Sequence, residues 1–421
     1  MEGESEEVGG KRKGFDRKSI LVGFVLPLFV AAVLFGSMFG FALKYHWMDQ
    51  SMAIGPVTKG SISAIVNPDG GSFSVAYNAE GGGLTHATNE TGQWVARQLT
   101  TQPVTMTSIF VDPKGITHIA AVNLTGALLY ANNSEGGWNV TTVATEANPD
   151  GGCALQIDST WKAHIAYARG AGLMYAEGRD KNWTNAQIYQ KGTQDPDLLP
   201  ALAMKKVDIA VDKKGNPYVA GWMKIGWVVC MNRWKGHWNQ TLYGSNGPIT
   251  LGSDADWKVH ICLLQYGNDS ATPIITHLQN TGANGSMVAE TVAALSSQSG
   301  NATLTLGFDY QKRLHILYTD DSRTEYLVGS WGKTCKAYDL SPKVGAGDDT
   351  VVVDLSGFVY IVVEDTGPRL SLVTNHLTIW DQMRLNGLFT IVTGLGMAAA
   401  LGLIGLNYMM IRRGGLTGLR D

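Results

Sequence analysis

Four histidines stand at one recurring offset in this chain: His118, His164, His260 and His315, each six residues after an aspartate. Imidazoles gathered in a ring would offer nitrogen ligands to a metal, or a proton acceptor near neutral pH. In the remaining copies of the pattern Phe73, Tyr218 and Tyr360 hold the offset. An aromatic ring in place of imidazole points to a packing position with a polar tip rather than to a ligand. The residues that set the register are Asn67, Asp112, Asp158, Asp212, Asp254, Asp309 and Asp354. They suit tight turns, because a short carboxylate or amide bonds its own backbone two residues on.

A second group of carboxylates has more chemical freedom. Glu146 and Asp150 precede the third copy of the pattern, Asp195 and Asp197 the fourth, and Asp348 and Asp349 the seventh. Brought together at one end of a ring, they would form a ligand-binding site able to hold calcium, or to act as acid and base on a glycan. The plain alternative is a set of solvated loop aspartates, since no spacing among them is diagnostic. Apart from that calcium no cofactor is expected, and no catalytic residue can be named. The chain has no nucleophile elbow, phosphate loop, dinucleotide fingerprint or HExxH. Of its four cysteines, Cys230 and Cys262 fall in adjacent copies and could pair, whereas Cys153 and Cys335 lie too far apart in the pattern; all four suit small buried positions as well.

The elements that must position these groups are read from the repeat. An apolar run, an aspartate, a short turn and a second apolar run recur as IFVDPKGITHIAAV, LQIDSTWKAHIAYA, IAVDKKGNPYVAGW, LGSDADWKVHICLL, LGFDYQKRLHILYT and VVVDLSGFVYIVVE, after a weaker first copy, AIVNPDGGSFSVAY. The anchors are separated by 45, 46, 54, 42, 55 and 45 residues, the period of a four-stranded propeller blade. Trp94, Trp138, Trp183, Trp238 and Trp380 follow their anchors by 25 to 27 residues, where a fourth strand should start. The fold expected is an all-β, seven-bladed propeller over residues 63–380. Its last copy has little chain left for an outer strand, so Met52–Thr58 within the linker 44–62 is expected to close the ring.

The turn resembles that of the sialidase-like, BNR-type propellers, S-x-D-x-G-x-x-W, over residues 63–380. In this chain the glycine falls three residues after the aspartate, as in Asp112-Pro113-Lys114-Gly115, rather than two, and the next aromatic or histidine six after rather than five. The F/Y-R-I-P element of sialidases is missing. The resemblance therefore implies architecture, and no sialidase substrate or active site is carried over.

Two uncharged runs bracket the repeats. Residues 20–43 and 388–411 are each 24 residues long, about 36 Å as helices and enough to cross a bilayer core of about 30 Å. Lys11, Arg12, Lys13, Arg17 and Lys18 precede the first, and Arg412, Arg413 and Arg420 follow the second. Positive residues stay inside, so residues 1–19 and 412–421 are expected as cytoplasmic tails and the propeller outside, with 381–387 as a linker. Gly36 and Gly40 in one run and Gly394, Ala398 and Gly402 in the other give both helices small faces for contact. Nine N-x-[ST] signals, at Asn89, Asn123, Asn132, Asn139, Asn182, Asn239, Asn268, Asn284 and Asn301, all fall between the runs, as N-glycosylation outside the cell requires.

Composition limits the partners. The net charge is −3, which excludes a nucleic-acid platform, and 44% hydrophobic against 16% charged residues excludes disorder. The function expected is non-enzymatic recognition or assembly at the cell membrane, with a membrane or envelope protein or a surface glycan as partner. The alternative from another class is a membrane-tethered glycan-processing enzyme with its acidic site at the channel mouth.

Overall fold

The computed structural model describes residues 48–52, 54–58, 62–67, 71–190, 203–245, 247–266, 273–280, 287–295, 302–341, 350–354, 357–364 and 370–375, with Gly402, Ile404, Gly405, Tyr408 and Met409. Met48–His376 form one compact unit and the two flanking segments together form another. In the flanking unit the five described residues are helical, and among the described residues no helix is long and apolar enough to cross a membrane. The run 20–43 lies outside the described residues with Gly36 and Gly40, as do Gly394 and Ala398 of the second run; Gly402 is one of the helical residues.

The propeller is an all-β ring of seven four-stranded sheets. Blades 1 to 6 each run in chain order from inner to outer strand, as in blade 3 with Cys153–Ile157, Ala163–Arg169, Gly172–Arg179 and Asn182–Gln190. Blade 7 takes Thr350–Val353, Val359–Glu364 and Leu370–Thr374 from the end of the repeat and Met48–Ser51 from before the first copy as its outer strand. The ring is thus closed by the linker, but four residues upstream of the segment anticipated from the pattern. Met52, Ile54 and Val57 are instead buried among Tyr77, Tyr360 and Leu372, between blades 7 and 1. An apolar segment is worth more wedged between two sheets than paired at an exposed edge.

Sandwiching explains the sequence signal of each strand. The second strand of blade 2, Thr117–Asn123, is buried along its whole length because other blades cover both its faces, and its centre is the unbroken apolar run Ile119–Val122. The outer strand of blade 1, Val95–Gln98, is exposed throughout. The core consequently lies between blades: Val122, Leu128 and Tyr130 of blade 2 pack on Leu155, Ile165 and Tyr167 of blade 3. Trp138, Trp183 and Trp238 stand at the start of their outer strands and reach back to the preceding blade. Trp183 meets Tyr130 edge-on at 4.9 Å, and Trp238 meets Tyr175 at 5.1 Å. Trp380 lies outside the described residues.

The inner strands are tied in a second way. Ile109 N donates to Ser63 Oγ at 3.1 Å, Leu155 N to Ser108 Oγ at 3.0 Å, Leu251 N to Asp208 Oδ2 at 2.7 Å and Val351 N to Thr305 Oγ1 at 3.3 Å. Each acceptor sits four residues before its blade's anchor, so in blades 1, 2, 4 and 6 one polar residue of the inner strand fixes the register of the next blade.

All four cysteines are free thiols. Cys230 packs with the cluster between blades 4 and 5 while Cys262 belongs to the one between blades 5 and 6; of the two readings left open, a pair or small buried side chains, the structure has the second. Burial pushes the Cys153 and Cys230 thiols up to about 12, as inert packing groups.

Candidate functional site

Within every blade the first and third connections lie at one end of the strands, here the turn end, and the second connection and the link to the next blade at the other. The anchor aspartates occupy the turn end. Asp158 Oδ1 accepts the backbone N–H groups of Thr160 at 2.8 Å and Lys162 at 2.9 Å, and Asp112, Asp212 and Asp254 repeat both bonds. These are turn residues, as the sequence suggests. Three positions after the anchor the backbone is left-handed in every described copy, including three without glycine: Trp161 (φ 66°), Trp257 (φ 62°) and Lys312 (φ 59°). A side chain there costs about 1–2 kcal/mol.

The four histidines do not gather. Each stays within its blade, with Nε2 toward its own anchor and Nδ1 toward a ring on the third strand: Tyr130 at 2.6 Å, Tyr175 at 2.5 Å, His277 at 2.8 Å and Tyr326 at 2.6 Å. Among the described residues no group of three histidine, cysteine or acidic side chains could hold a metal. Nε2 of His118, His260 and His315 makes no hydrogen bond, standing 3.6, 3.3 and 3.4 Å from its aspartate. In blade 3 the bond is made, His164 Nε2 to Asp158 Oδ2 at 3.0 Å.

From there the blade 3 chain continues outward. Tyr175 donates to Glu177 Oε2 at 2.9 Å, Arg233 of blade 4 donates to the same oxygen at 2.9 Å, and Lys162 Nζ lies 3.6 Å from Oε1. Glu177 opens into a basin of about 370 Å³, lined also by Thr160, Gly178, Arg179, Asn182 and Thr184. Arg179 is fixed across it by bonds to the carbonyls of Thr160 at 2.6 Å and Trp161 at 3.3 Å. Burial alone would raise the Glu177 carboxyl; the bonds from Arg233 and Tyr175 outweigh it and keep it lowered. Burial, then the Glu177 charge, pushes the Tyr175 hydroxyl well up. At Asp158 burial is outweighed by His164 and by the Lys162 and Thr160 bonds, which hold the carboxyl far below its usual range. The basin thus presents a fixed carboxylate, two cations and neutral hydroxyl and amide groups, positioned by the anchor turn and by strands.

Of the acidic residues singled out in the sequence, Glu146 and Asp150 lie at the opposite end. Glu146 pairs with Arg169 at 2.6 Å, an exposed bridge, and exposed Asp150 donates its N–H to Asn148 Oδ1 at 3.1 Å. Asp195, Asp197, Asp348 and Asp349 lie outside the described residues. Of the glycosylation signals, Asn182 and Asn239 are exposed and Asn89 and Asn139 half-buried, all at the turn end. Asn123 and Asn132 are buried, and their carboxamides accept the N–H groups of Thr125 and Ser134 at 3.1 and 3.2 Å; Asn123 also donates to Gln102 at 2.7 Å. Asn268, Asn284 and Asn301 lie outside the described residues.

Reading the sequence missed Glu177, Arg179, Arg233 and Asp208. Asp208 takes the inner-strand tie position that holds serine or threonine in blades 1, 2, 5, 6 and 7, a departure visible once the repeats are aligned. Burial raises its pKa, with Lys206 opposing. Glu177, Arg179 and Arg233 carry no signal in the repeat: the basin is lined by a turn and strand ends of blade 3, and Arg233 reaches Glu177 from blade 4.

No family model and no curated protein sequence matches this chain. Solved structures match in fold. The BP39L lectin from Burkholderia pseudomallei superposes with a TM-score of 0.57 at 13% identity, covering 75% of this chain and 95% of that one. The β-propeller domain of Cps50 (Swd1) from Myceliophteria thermophila gives 0.51 at 11% identity, covering 78% and 99%. A PL25 polysaccharide lyase, an ulvan lyase, gives 0.50 at 12% identity, covering 80% and 99%. At these identities the likeness is one of propeller architecture; no sialidase-like family is matched.

Proposed function

We propose that this chain is a membrane-anchored, N-glycosylated recognition propeller, held outside the cell by residues 20–43 and 388–411, which binds a saccharide in the blade 3 basin without breaking it. The observation that carries this is the state of Glu177. A glycoside-hydrolysing site of the common kind needs a carboxyl able to give up a proton beside a second carboxylate. Glu177 is the basin's single carboxylate and is held ionised between Arg233 and Tyr175. A fixed acceptor beside Lys162, Arg179, Thr160 and Thr184 suits the paired hydroxyls of a sugar ring, each of which donates and accepts. A lectin among the propellers of similar fold makes saccharides the first ligands to screen. Anchoring is supported by the two apolar runs and their positive flanks, and glycosylation by the exposed Asn182 and Asn239.

The test is saturation-transfer NMR of the full chain in detergent against a saccharide panel, with Asn182→Gln alongside because Asn182 sits on the basin wall. A binder whose signal is lost in Arg179→Ala and Glu177→Gln, with the fold intact, supports the reading. A panel that gives no signal with either form of the wild-type basin discards it, and cleavage of the bound saccharide would put the enzyme reading in its place.

A further inference from the structure

Blade 1 departs from the rest of the ring at its anchor, where Asn67 stands in place of aspartate. The Asn67 N–H bonds the carbonyl of Ser72, five residues on, whereas Asp112, Asp158, Asp212, Asp254 and Asp354 each bond the carbonyl four residues on. The turn is longer by that residue, so the offset read in the sequence lands on Phe73 while Ser74 takes the structural place of the histidines. Ser74 pairs across the strand with Ile65, two residues before the anchor, as His118 pairs with Phe110 and His164 with Gln156. The third strand, Leu84–Thr88, follows suit. His86 lies opposite Ala76 as Tyr175 lies opposite Ala166, and Thr88 opposite Ser74 as Glu177 lies opposite His164.

Asn67, Ser74, His86 and Thr88 therefore hold the four positions of the blade 3 chain Asp158–His164–Tyr175–Glu177. In blade 3 those groups bond one another in succession. In blade 1 each has a buried polar atom without a hydrogen-bond partner: Asn67 Oδ1, Ser74 Oγ, His86 Nε2 and Thr88 Oγ1. Asn67, Ser74 and His86 are only 5, 0 and 6% exposed. Among the described residues no other blade leaves more than a single such atom at these positions, and each of those, on His118, His260 and His315, still has its anchor carboxylate within 3.6 Å. The cause is size, because a hydroxymethyl group stands where blades 2, 3, 5 and 6 carry a whole imidazole and cannot span from the anchor to the third strand.

The surroundings define what can bridge these atoms. Ala76 packs with Ile109 and Ile119 of blade 2, and the His86 ring lies 4.9 Å from that of Trp138, so an occupant must be small. Burial pushes His86 down to about 4, leaving its imidazole neutral beside an amide and two hydroxyls. The charged side chains that adjoin them, Glu90 on Asn67 Nδ2 at 3.1 Å and Arg97 opposite His86, are exposed. A buried ion would thus lack a counter-charge among the four groups. The amide oxygen only accepts, whereas the hydroxyls and the imidazole donate or accept, so the occupant must do both.

We propose that a buried water molecule takes the place of the imidazole in blade 1, bridging Asn67, Ser74, His86 and Thr88. Two to four polar partners are what an internal water requires, and leaving such groups unpaired is costly. The first copy of the repeat is then weak in sequence because solvent completes the tie that a side chain makes elsewhere. The inference is independent of both anchoring and saccharide binding.

High-resolution diffraction from crystals of the full chain reads the occupant directly. Expected is a density peak at about 2.7–3.2 Å from three or more of the four atoms. A map without that peak overturns the inference, and so does a peak at about 2.3–2.6 Å, the range of a bound cation. Oxygen-17 relaxation dispersion of the solvent reads the same site without crystals. Ser74→His, whose ring fills the place, should lose the signal of about one long-lived water relative to wild type. An unchanged signal from a folded Ser74→His overturns the inference, and the wild-type map stands by itself should that variant fail to fold.

Discussion

Blades 3 and 6 are built from one pattern and end differently. Both have an anchor aspartate, a histidine six residues on and a tyrosine on the third strand facing that histidine's Nδ1. In blade 6 Arg313 bonds the Asp309 carboxylate, and His315 Nε2 is left 3.4 Å away without a hydrogen bond. Tyr326 in turn meets the ring of Tyr338, centroids 5.9 Å apart. In blade 3 the place of Arg313 is held by Lys162, which turns instead to Glu177, so Asp158 bonds His164 and the chain runs on through Tyr175 and Glu177 to Arg233. One cation turned from the anchor carboxylate to the third strand places its charge on the wall of the blade 3 basin. Shared residues build the ring, and the departures from the repeat mark where it can bind.

The largest effect is expected where the two blades agree. Asp158→Ala and Asp309→Ala each remove a buried carboxylate that holds backbone N–H groups and faces a histidine. Breaking one side of such a pairing costs about 3–5 kcal/mol. Both variants should show that loss in denaturant unfolding. A loss confined to Asp158→Ala would break the comparison by making the blade 6 turn dispensable.

A smaller effect separates the blades. Burial, opposed by Asp309, pushes His315 from 6.5 down to about 4. The folded protein therefore resists a proton that the unfolded chain accepts near 6.5. The unfolded state binds more protons across that window, so this contribution is intact above about pH 6.5 and is lost as pH falls toward 4. Its size is about 1–3 kcal/mol. Urea midpoints measured from pH 7 to pH 4.5 should fall, and His315→Gln should flatten the slope. His277, lowered to about 3 by burial and then by His260, adds to the same slope and keeps the flattening partial.

The sequence discloses the ring more fully than the site. Seven anchors at blade spacing, turn aspartates and a tryptophan opening each of several outer strands are local signals that repeat, and each names an element. The closing strand was displaced because Met52–Thr58 reads as strand or wedge alike, and only the cleft between blades 7 and 1 decides. The histidine offset was legible as packing because Phe73 and Tyr360 replace it. The basin was illegible for a physical reason: Lys162 stands in a turn and Glu177 and Arg233 in strands of two blades, and nothing in their spacing shows that they meet. Attention to paired loop acids led to Glu146, which the fold pairs with Arg169 at the other end of the ring.

The smallest effect tests why blades 3 and 6 tolerate a side chain where blades 2, 4 and 7 use glycine. Trp161 and Lys312 occupy the left-handed turn position of Gly115, Gly215 and Gly357. Glycine would relieve about 1–2 kcal/mol of backbone strain and give back about 0.5–1 through its freer unfolded chain. Lys312→Gly should then stabilise by about 0.5–1 kcal/mol, since the exposed pair with Asp256 contributes little. Trp161→Gly should be nearly neutral, because Lys114 lies 4.4 Å over the indole and that contact, worth about 0.5–1 kcal/mol, is lost. The difference is small enough to require paired thermal melts, yet it bears on the basin. The carbonyls of Thr160 and Trp161 hold Arg179, so a slackened turn frees the guanidinium. Trp161→Gly should weaken saccharide binding while leaving stability almost unchanged, and Lys312→Gly should do the reverse. If both variants behave alike in melts and in binding, the strain at Trp161 is incidental, and the contrast between the two blades reduces to Lys162 and Arg313.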